Sequence, residues 1–143
     1  MLTVAKTVRF DAAHVLTNHQ GLCKNLHGHT YRVDVSVAQA PGDTADMVID
    51  FMDLKRILEE TILAKFDHAF IYDGSSSAES EIAAVVVKHG MRAVALPFRS
   101  TAENLARYFF EALRPRLPGL SHVAVWETPD SCATYSEGMA CSS

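Results

Sequence analysis

The sequence has no excess of positive charge, no long hydrophobic run and few cysteines, and each shortage excludes a class of protein. The 143-residue chain has a formal net charge of −4, so no basic field attracts it to nucleic acid or to an anionic membrane, and we predict neither as a partner. No apolar run approaches the roughly 20 residues that a membrane span needs. The first seven residues alternate like a strand and lack a signal-peptide core.

The three cysteines, Cys23, Cys132 and Cys141, form an odd set without paired spacing. This pattern favours a reducing compartment, so we predict a cytoplasmic protein. Apolar residues make up 48% of the chain and charged residues 21%, with no internal repeat and no linker. We therefore predict one domain, residues 1–143, around one hydrophobic core.

Two segments alternate between apolar and polar residues, which is typical of half-buried antiparallel strands. Residues 2–14 place His14 at the end of their apolar face, and residues 27–37 place His27 and His29 at the start of theirs. If the two strands pair as a hairpin, all three imidazoles meet on the buried side of one sheet end. The connecting loop, which carries Cys23, then folds over the same end.

The rest of the chain alternates between helices and strands. Asp50 is placed to cap a helix that reaches about residue 66, and Ser100 with Glu103 matches a capping box at the start of another. Together the patterns predict an α+β domain with an antiparallel four-stranded sheet and two main helices on one face. The predicted strands are 2–14, 27–37, 91–98 and 120–128, and the predicted helices are 51–66, 78–89 and 101–114.

A single one of these histidines would be read as an ordinary buried residue satisfied by hydrogen bonds. Three that converge on one sheet end favour a metal site instead, with His14, His27 and His29 as ligands. Neutral imidazole is the commonest protein ligand for zinc, and three ligands leave the fourth tetrahedral position open for catalysis. The spacing is also compatible with nickel or iron.

Cys23 has three readings. It is an inert loop cysteine, a thiol near the metal that acts as base or nucleophile, or a fourth ligand that closes a structural site, because Cys-x₃-His is a feasible chelate spacing. The spacing leaves the base and the ligand equally open. Asp67 and His68 suit proton relay, although a polar helix end explains them too.

Two glutamates also have competing explanations. Glu103 is best explained as the capping-box partner of Ser100. Glu127 ends a strand among apolar residues, so its carboxylate needs a donor from the backbone, from a side chain, or from a ligand with two adjacent N–H groups.

Five motifs, in this order, give the chain a family resemblance that runs from residue 10 to about residue 135. They are Phe10-Asp-Ala-Ala-His14, Cys23-Lys-Asn-Leu-His27-Gly-His29, Phe66-Asp-His68, Ser100-Thr-Ala-Glu-Asn-Leu105 and Trp126-Glu-Thr-Pro129. The chain resembles the 6-pyruvoyl-tetrahydropterin synthase / 6-carboxy-tetrahydropterin synthase family. The resemblance implies the tunnelling fold, in which sheets associate into trimeric barrels that commonly stack as hexamers, with active sites between subunits.

The same resemblance implies a role for each motif. The three histidines match the zinc ligands, Cys23 the catalytic thiol, and His68 with Asp67 a relay that reaches in from a neighbouring subunit. Glu127 matches the carboxylate that binds the pterin, and Thr101 and Glu103 lie where the family places further pterin contacts. The two acceptor oxygens of a carboxylate suit the amino–imino edge of a pterin.

The implied substrate is 7,8-dihydroneopterin triphosphate. The Cys-x₃-His-Gly-His motif and the short chain favour the carboxy branch, a lyase that releases acetaldehyde and triphosphate and forms 6-carboxy-5,6,7,8-tetrahydropterin. Three alternatives stay open: the pyruvoyl branch, a non-catalytic module with a structural zinc, and a generic zinc hydrolase. The hydrolase gives no role to Glu127 or to Asp67 and His68.

Overall fold

The computed structural model describes residues 1–137, so Cys141 and the end of the predicted domain lie outside the described residues. Within these residues the chain forms six strands and four α-helical segments, joined by turns and loops. The strands are β1 (Thr3–His14), β2 (His27–Ala38), β3 (Ala69–Asp73), β4 (Ala93–Leu96), β5 (Leu120–Thr128) and β6 (Ser131–Ser136). The helices are α1 (Phe51–Leu58), α2 (Ala64–Phe66), α3 (Ser77–Lys88) and α4 (Ala102–Leu113), with a π-helical turn, Glu59–Leu63, between α1 and α2.

The predicted hairpin of the first two strands is confirmed. β1 and β2 pair antiparallel, with Phe10 opposite Tyr31 and His14 opposite His27. Each cross-strand pair puts both side chains on the same face, so the apolar residues of both strands point into one core. This register brings His14, His27 and His29 to one end of that face.

The predicted four-stranded antiparallel sheet is wrong in strand number and in direction. The sheet has six strands in the order β4-β3-β1-β2-β5-β6 and is mixed, because β3 runs parallel to both β1 and β4. β3 escaped prediction because it is covered on both sides and shows an apolar run without alternation. β6 escaped because it is a largely exposed edge strand with few apolar residues.

The two main helices pack on the same face of the sheet, as predicted. Asp50 caps α1 by accepting a hydrogen bond from the backbone N–H of Met52 at 2.7 Å. Leu54 of α1 and Phe109 of α4 are both fully buried in the main core, where Phe109 packs edge-on against Phe10 of β1. The third helix, α3, packs on the opposite face, where its Ala83 joins Val15 and Phe70 in a smaller cluster.

The predicted capping box at α4 is wrong. Thr101, not Ser100, caps the helix, because its hydroxyl accepts a hydrogen bond from the backbone N–H of Asn104 at 3.2 Å. Ser100 is fully buried, and its hydroxyl lies 3.1 Å from Nδ1 of His14. Glu103 is therefore exposed in the first turn of α4 without the capping partner assigned to it.

None of the helices within residues 1–137 is long and apolar enough to span a membrane.

Candidate metal centre and adjoining cavity

Three imidazoles converge at the end of the β1–β2 hairpin. Nε2 of His14 lies 3.0 Å from Nε2 of His27 and 3.2 Å from Nε2 of His29, and all three ligand atoms lie within 4.8 Å of one another. His14 is 1% exposed, whereas the other two are partly buried. The predicted convergence is thus confirmed, and the cluster can hold a metal ion.

The absence of a side chain at Gly28 helps to bring the two strands together here. A Cβ atom at this position would lie 3.0 Å from the carbonyl oxygen of Ala12 on β1. That distance is shorter than most real contacts of a Cβ atom, so any other residue would push the strands apart. The glycine between His27 and His29 therefore preserves the distance across which the imidazoles meet His14.

Backbone carbonyl groups fix the protonation of two of the rings. Nδ1 of His14 lies 2.9 Å from the carbonyl oxygen of Ser100, and Nδ1 of His27 lies 2.7 Å from that of Asn25. A carbonyl oxygen only accepts, so each Nδ1 must carry the hydrogen and each Nε2 is left with a lone pair. Two lone pairs that face each other at 3.0 Å need a cation between them, and carbonyl-oriented imidazoles are typical of metal ligands.

Burial also favours the neutral, metal-binding form of the imidazoles. Burial, together with the neighbouring His27 and His29, lowers the pKa of His14 from 6.5 to about 4, against the raising effect of its hydrogen bond to Ser100. Burial and His27 lower the pKa of His29 as well. At neutral pH these rings therefore do not have to lose a proton before they bind a metal.

A carboxylate and a cavity lie beside the cluster. Oε2 of Glu127 is 3.8 Å from Nε2 of His29. Burial, followed by the charge of Glu103, raises the pKa of Glu127. Glu127, Glu103 and Thr101 line one cavity of about 310 Å³, so the structure brings together all three residues that the resemblance assigned to pterin binding.

Cys23 lies on a short 3₁₀ turn, Leu22–Lys24, within the loop between β1 and β2. The loop is closed by a hydrogen bond from the N–H of Leu16 to the carbonyl oxygen of Cys23, at 2.9 Å. Within the described part of the chain, Cys23 and Cys132 are unpaired thiols, and Cys23 is partly buried. The Cys23 thiol is not among the clustered metal-binding atoms found in residues 1–137, whose members are the three imidazoles alone.

Asp67 and His68 form the predicted pair, but they lie outside the imidazole cluster. Nδ1 of His68 is 2.9 Å from Oδ1 of Asp67, and the His68 side chain is 77% exposed. Asp67 also accepts a hydrogen bond from the backbone N–H of Asp11, and His68 donates its own backbone N–H to the carbonyl of Asp11. His68 lines a groove of about 710 Å³ that also reaches His29 and Thr30.

Sequence reasoning missed three residues near the site. Tyr31 is fully buried, its ring packs against those of His14 and His29, and its hydroxyl finds no hydrogen-bond partner among residues 1–137. Burial, with the charges of Glu127 and Cys23, raises its pKa, so the hydroxyl stays protonated. Arg99 and His19 line the cavity of Glu127. The position of Tyr31 on the apolar face of β2, two residues after His29, was the one available signal.

Comparisons with known proteins identify relatives of this chain. A family model described as "6-pyruvoyl tetrahydropterin synthase" matches residues 3–138. The chain is 43% identical to the 6-carboxy-5,6,7,8-tetrahydropterin synthase of Haemophilus influenzae, over 96% of this chain and 100% of that protein. It is 35% identical to the protein of the same name in Aquifex aeolicus, over 94% of this chain and 97% of that protein.

Solved structures share the fold. The Caenorhabditis elegans 6-pyruvoyl tetrahydropterin synthase has a TM-score of 0.70 and 26% identity over 96% of both chains. The Plasmodium falciparum 6-pyruvoyl tetrahydropterin synthase, at 22% identity, has a TM-score of 0.68 over 94% of this chain and 98% of that chain. With the family model covering nearly the whole sequence, this chain belongs to the 6-pyruvoyl tetrahydropterin synthase family.

Proposed function

We propose that this chain is a 6-carboxy-5,6,7,8-tetrahydropterin synthase. It is a lyase that converts 7,8-dihydroneopterin triphosphate to 6-carboxy-5,6,7,8-tetrahydropterin and releases acetaldehyde and triphosphate. The observation that carries the proposal is the set of three Nε2 atoms within 4.8 Å, with Glu127 3.8 Å from one of them. The names of the relatives from Haemophilus influenzae and Aquifex aeolicus support the carboxy product.

The metal in this proposal is zinc, held by His14, His27 and His29. Three neutral imidazoles with an open fourth position suit catalytic zinc, and the hydrogen bonds from His14 and His27 to carbonyl groups keep the ligand nitrogens free. A zinc ion bound there would act as a Lewis acid toward the hydroxyl groups of the substrate side chain.

The substrate's pterin ring is assigned to the cavity beside the metal centre. The Glu127 carboxylate accepts hydrogen bonds from the amino–imino edge, which a two-oxygen acceptor binds in bidentate fashion. Glu103 and Thr101 line the same cavity. Although the Thr101 oxygen accepts the capping hydrogen bond of α4, its O–H remains available as a donor to the pterin.

Proton transfer is assigned to Cys23 and to the pair formed by Asp67 and His68. Cys23, as thiolate, removes a proton from the substrate side chain. Asp67 orients the His68 ring through the 2.9 Å hydrogen bond, and His68 passes protons onward. In this proposal His68 serves the site of a neighbouring subunit in a trimer-based assembly that stacks as a hexamer, and its exposure and its position outside the imidazole cluster support this assignment.

The reaction is tested by incubating the purified protein with 7,8-dihydroneopterin triphosphate and measuring acetaldehyde. The proposal predicts one acetaldehyde per substrate consumed. Consumption of substrate without acetaldehyde would reject the carboxy product in favour of the pyruvoyl reaction. No consumption by metal-loaded protein would reject the enzyme altogether and leave a structural zinc module.

The shared site is tested by mixing two inactive variants. We expect Cys23→Ala and His68→Ala each to lose turnover when purified alone. After the two proteins are dissociated and reassembled together, some sites combine an intact Cys23 with an intact His68 from another subunit, so turnover returns in part. If reassembly restores no turnover, although mixed oligomers are present by native mass spectrometry, both groups act within one subunit.

A further inference from the structure

Glu79, on the first turn of α3, is a carboxylate that is only 2% exposed. Removing a carboxylate from water is costly unless it is hydrogen-bonded. Its Oε2 accepts a hydrogen bond from the Thr17 hydroxyl at 3.1 Å, and its Oε1 accepts one from the backbone N–H of Asp73 at 3.3 Å. Glu79 therefore joins α3 to Thr17, which lies 62 residues away in sequence, as well as to the nearby Asp73 at the end of β3.

Thr17 belongs to the loop that carries Cys23. The neighbouring residue, Leu16, donates its backbone N–H to the carbonyl oxygen of Cys23 at 2.9 Å. On the other side, Val15 is 2% exposed and packs in the small cluster with Ala83 of α3. The start of the loop is thus attached to α3 by one apolar and one polar contact, and Cys23 is attached directly to that start.

The end of α3 that carries Glu79 is itself well ordered by local hydrogen bonds. The Ser76 hydroxyl caps the helix by accepting from the backbone N–H of Glu79 at 3.2 Å. The Asp73 carboxylate accepts from both the N–H and the hydroxyl of Ser75, at 2.8 and 2.6 Å. Glu79 is consequently held in a defined position, whereas most of the loop from residue 18 to residue 26 is exposed.

We propose that Glu79 is a positioning residue for catalysis, which holds the Cys23 loop in place through its hydrogen bond to Thr17. The inference rests on the proposed function, because it assumes that Cys23 acts on the substrate. It gives a role to α3, which packs on the face of the sheet opposite to the imidazole cluster.

The test compares Thr17→Val, which removes the hydroxyl at nearly constant volume, with Thr17→Ser, which keeps it. We expect Thr17→Val to lower kcat by about 10- to 100-fold, the order of loss for a misplaced catalytic group, with KM changed by less than about 2-fold. Thr17→Ser should retain most of the wild-type kcat. Glu79→Ala should behave like Thr17→Val, and Glu81→Ala, which removes an exposed carboxylate from the same helix, should match the wild type.

A second readout does not depend on turnover. The rate at which iodoacetamide alkylates Cys23, followed by mass spectrometry of its peptide so that the other thiols do not interfere, should change in Thr17→Val and Glu79→Ala but not in Glu81→Ala. If Glu79→Ala does not fold, Thr17→Val carries the test alone.

The inference is overturned if Thr17→Val has wild-type kcat and a wild-type alkylation rate, even if its melting temperature falls, because the contact would then be structural only. Failure of the proposed function looks different. In that case the wild type itself forms no acetaldehyde from the triphosphate, or Cys23→Ala keeps full turnover, whereas a failure of the inference alone leaves the wild type active, Cys23→Ala inactive and Thr17→Val fully active.

Discussion

We expect acidification to lower the free energy of unfolding of the metal-free protein, because His14 is buried as a neutral imidazole. Its folded pKa is about 4, whereas the imidazole of the unfolded chain titrates near 6.5. Between these two values the unfolded state binds more protons than the folded state, so the free energy of unfolding falls as the pH falls. The loss begins near pH 6.5 and is complete near pH 4.

The size of this effect follows from the two pKa values. For one group with pKa 6.5 unfolded and about 4 folded, the linkage relation gives a loss of about 2 kcal/mol between pH 7 and pH 5. This loss is roughly a fifth of the free energy of unfolding of a typical folded domain, which is about 5–15 kcal/mol. A metal bound to the cluster would compete with these protons, so the measurement needs protein treated with a chelator.

Urea unfolding at several pH values measures this loss, and His14→Gln provides the comparison because glutamine does not titrate. Groups outside the imidazole cluster titrate equally in both proteins, so the difference between the two curves reports His14 together with its coupling to His27 and His29. We expect the wild type to lose about 2 kcal/mol more than His14→Gln between pH 7 and pH 5. Parallel curves would show that burial does not keep this imidazole neutral.

Three further predictions concern the core, the pterin cavity and the metal. Leu54→Ala should lower the free energy of unfolding by about 2–5 kcal/mol in urea denaturation, because Leu54 is fully buried. Glu127→Gln should lower kcat/KM by about 10- to 100-fold in steady-state assays with the triphosphate, since it loses a charge-assisted hydrogen bond worth about 1.5–3 kcal/mol. Chelation should abolish turnover and lower the melting temperature, and added zinc should restore both; turnover that survives complete chelation would exclude a catalytic metal.

The strands that could be predicted from the sequence are those with one buried and one exposed face. β1 and β2 alternate because one side faces the main core, and the pairing of Phe10 with Tyr31 follows from that alternation. The same period places His14, His27 and His29 on one face, so the metal-binding cluster was accessible from sequence alone. This prediction succeeded because it used the direction in which side chains point along each strand, not the identity of any single residue.

The rest was hidden for physical reasons. Phe70 and Ile71 of β3 point to opposite faces, and both are buried, because α3 covers one face and the main core covers the other. A strand buried on both sides has no period of two to recognise. Ser100 and Thr101 are both residue types that commonly cap helices. Only the folded structure shows that the Ser100 hydroxyl lies beside His14 and that Thr101 caps α4.

The position of His68 was hidden for a related reason. Its neighbour Asp67 predicted the hydrogen-bonded pair, and the family resemblance implied that the pair serves a neighbouring subunit, but the pattern did not place the exposed ring beside Asp11, apart from the imidazole cluster of its own chain. That separation follows from the parallel pairing of β3 with β1, which the sequence did not reveal.

X-ray absorption at the zinc edge tests most directly whether the three imidazoles hold a metal while Cys23 stays free. For wild-type protein without substrate, we expect nitrogen ligands at about 2.0–2.1 Å, no sulfur at about 2.3 Å, and the same spectrum for Cys23→Ala. A sulfur shell at about 2.3 Å that disappears in Cys23→Ala would contradict this expectation, because the thiol would then close the position that the substrate needs.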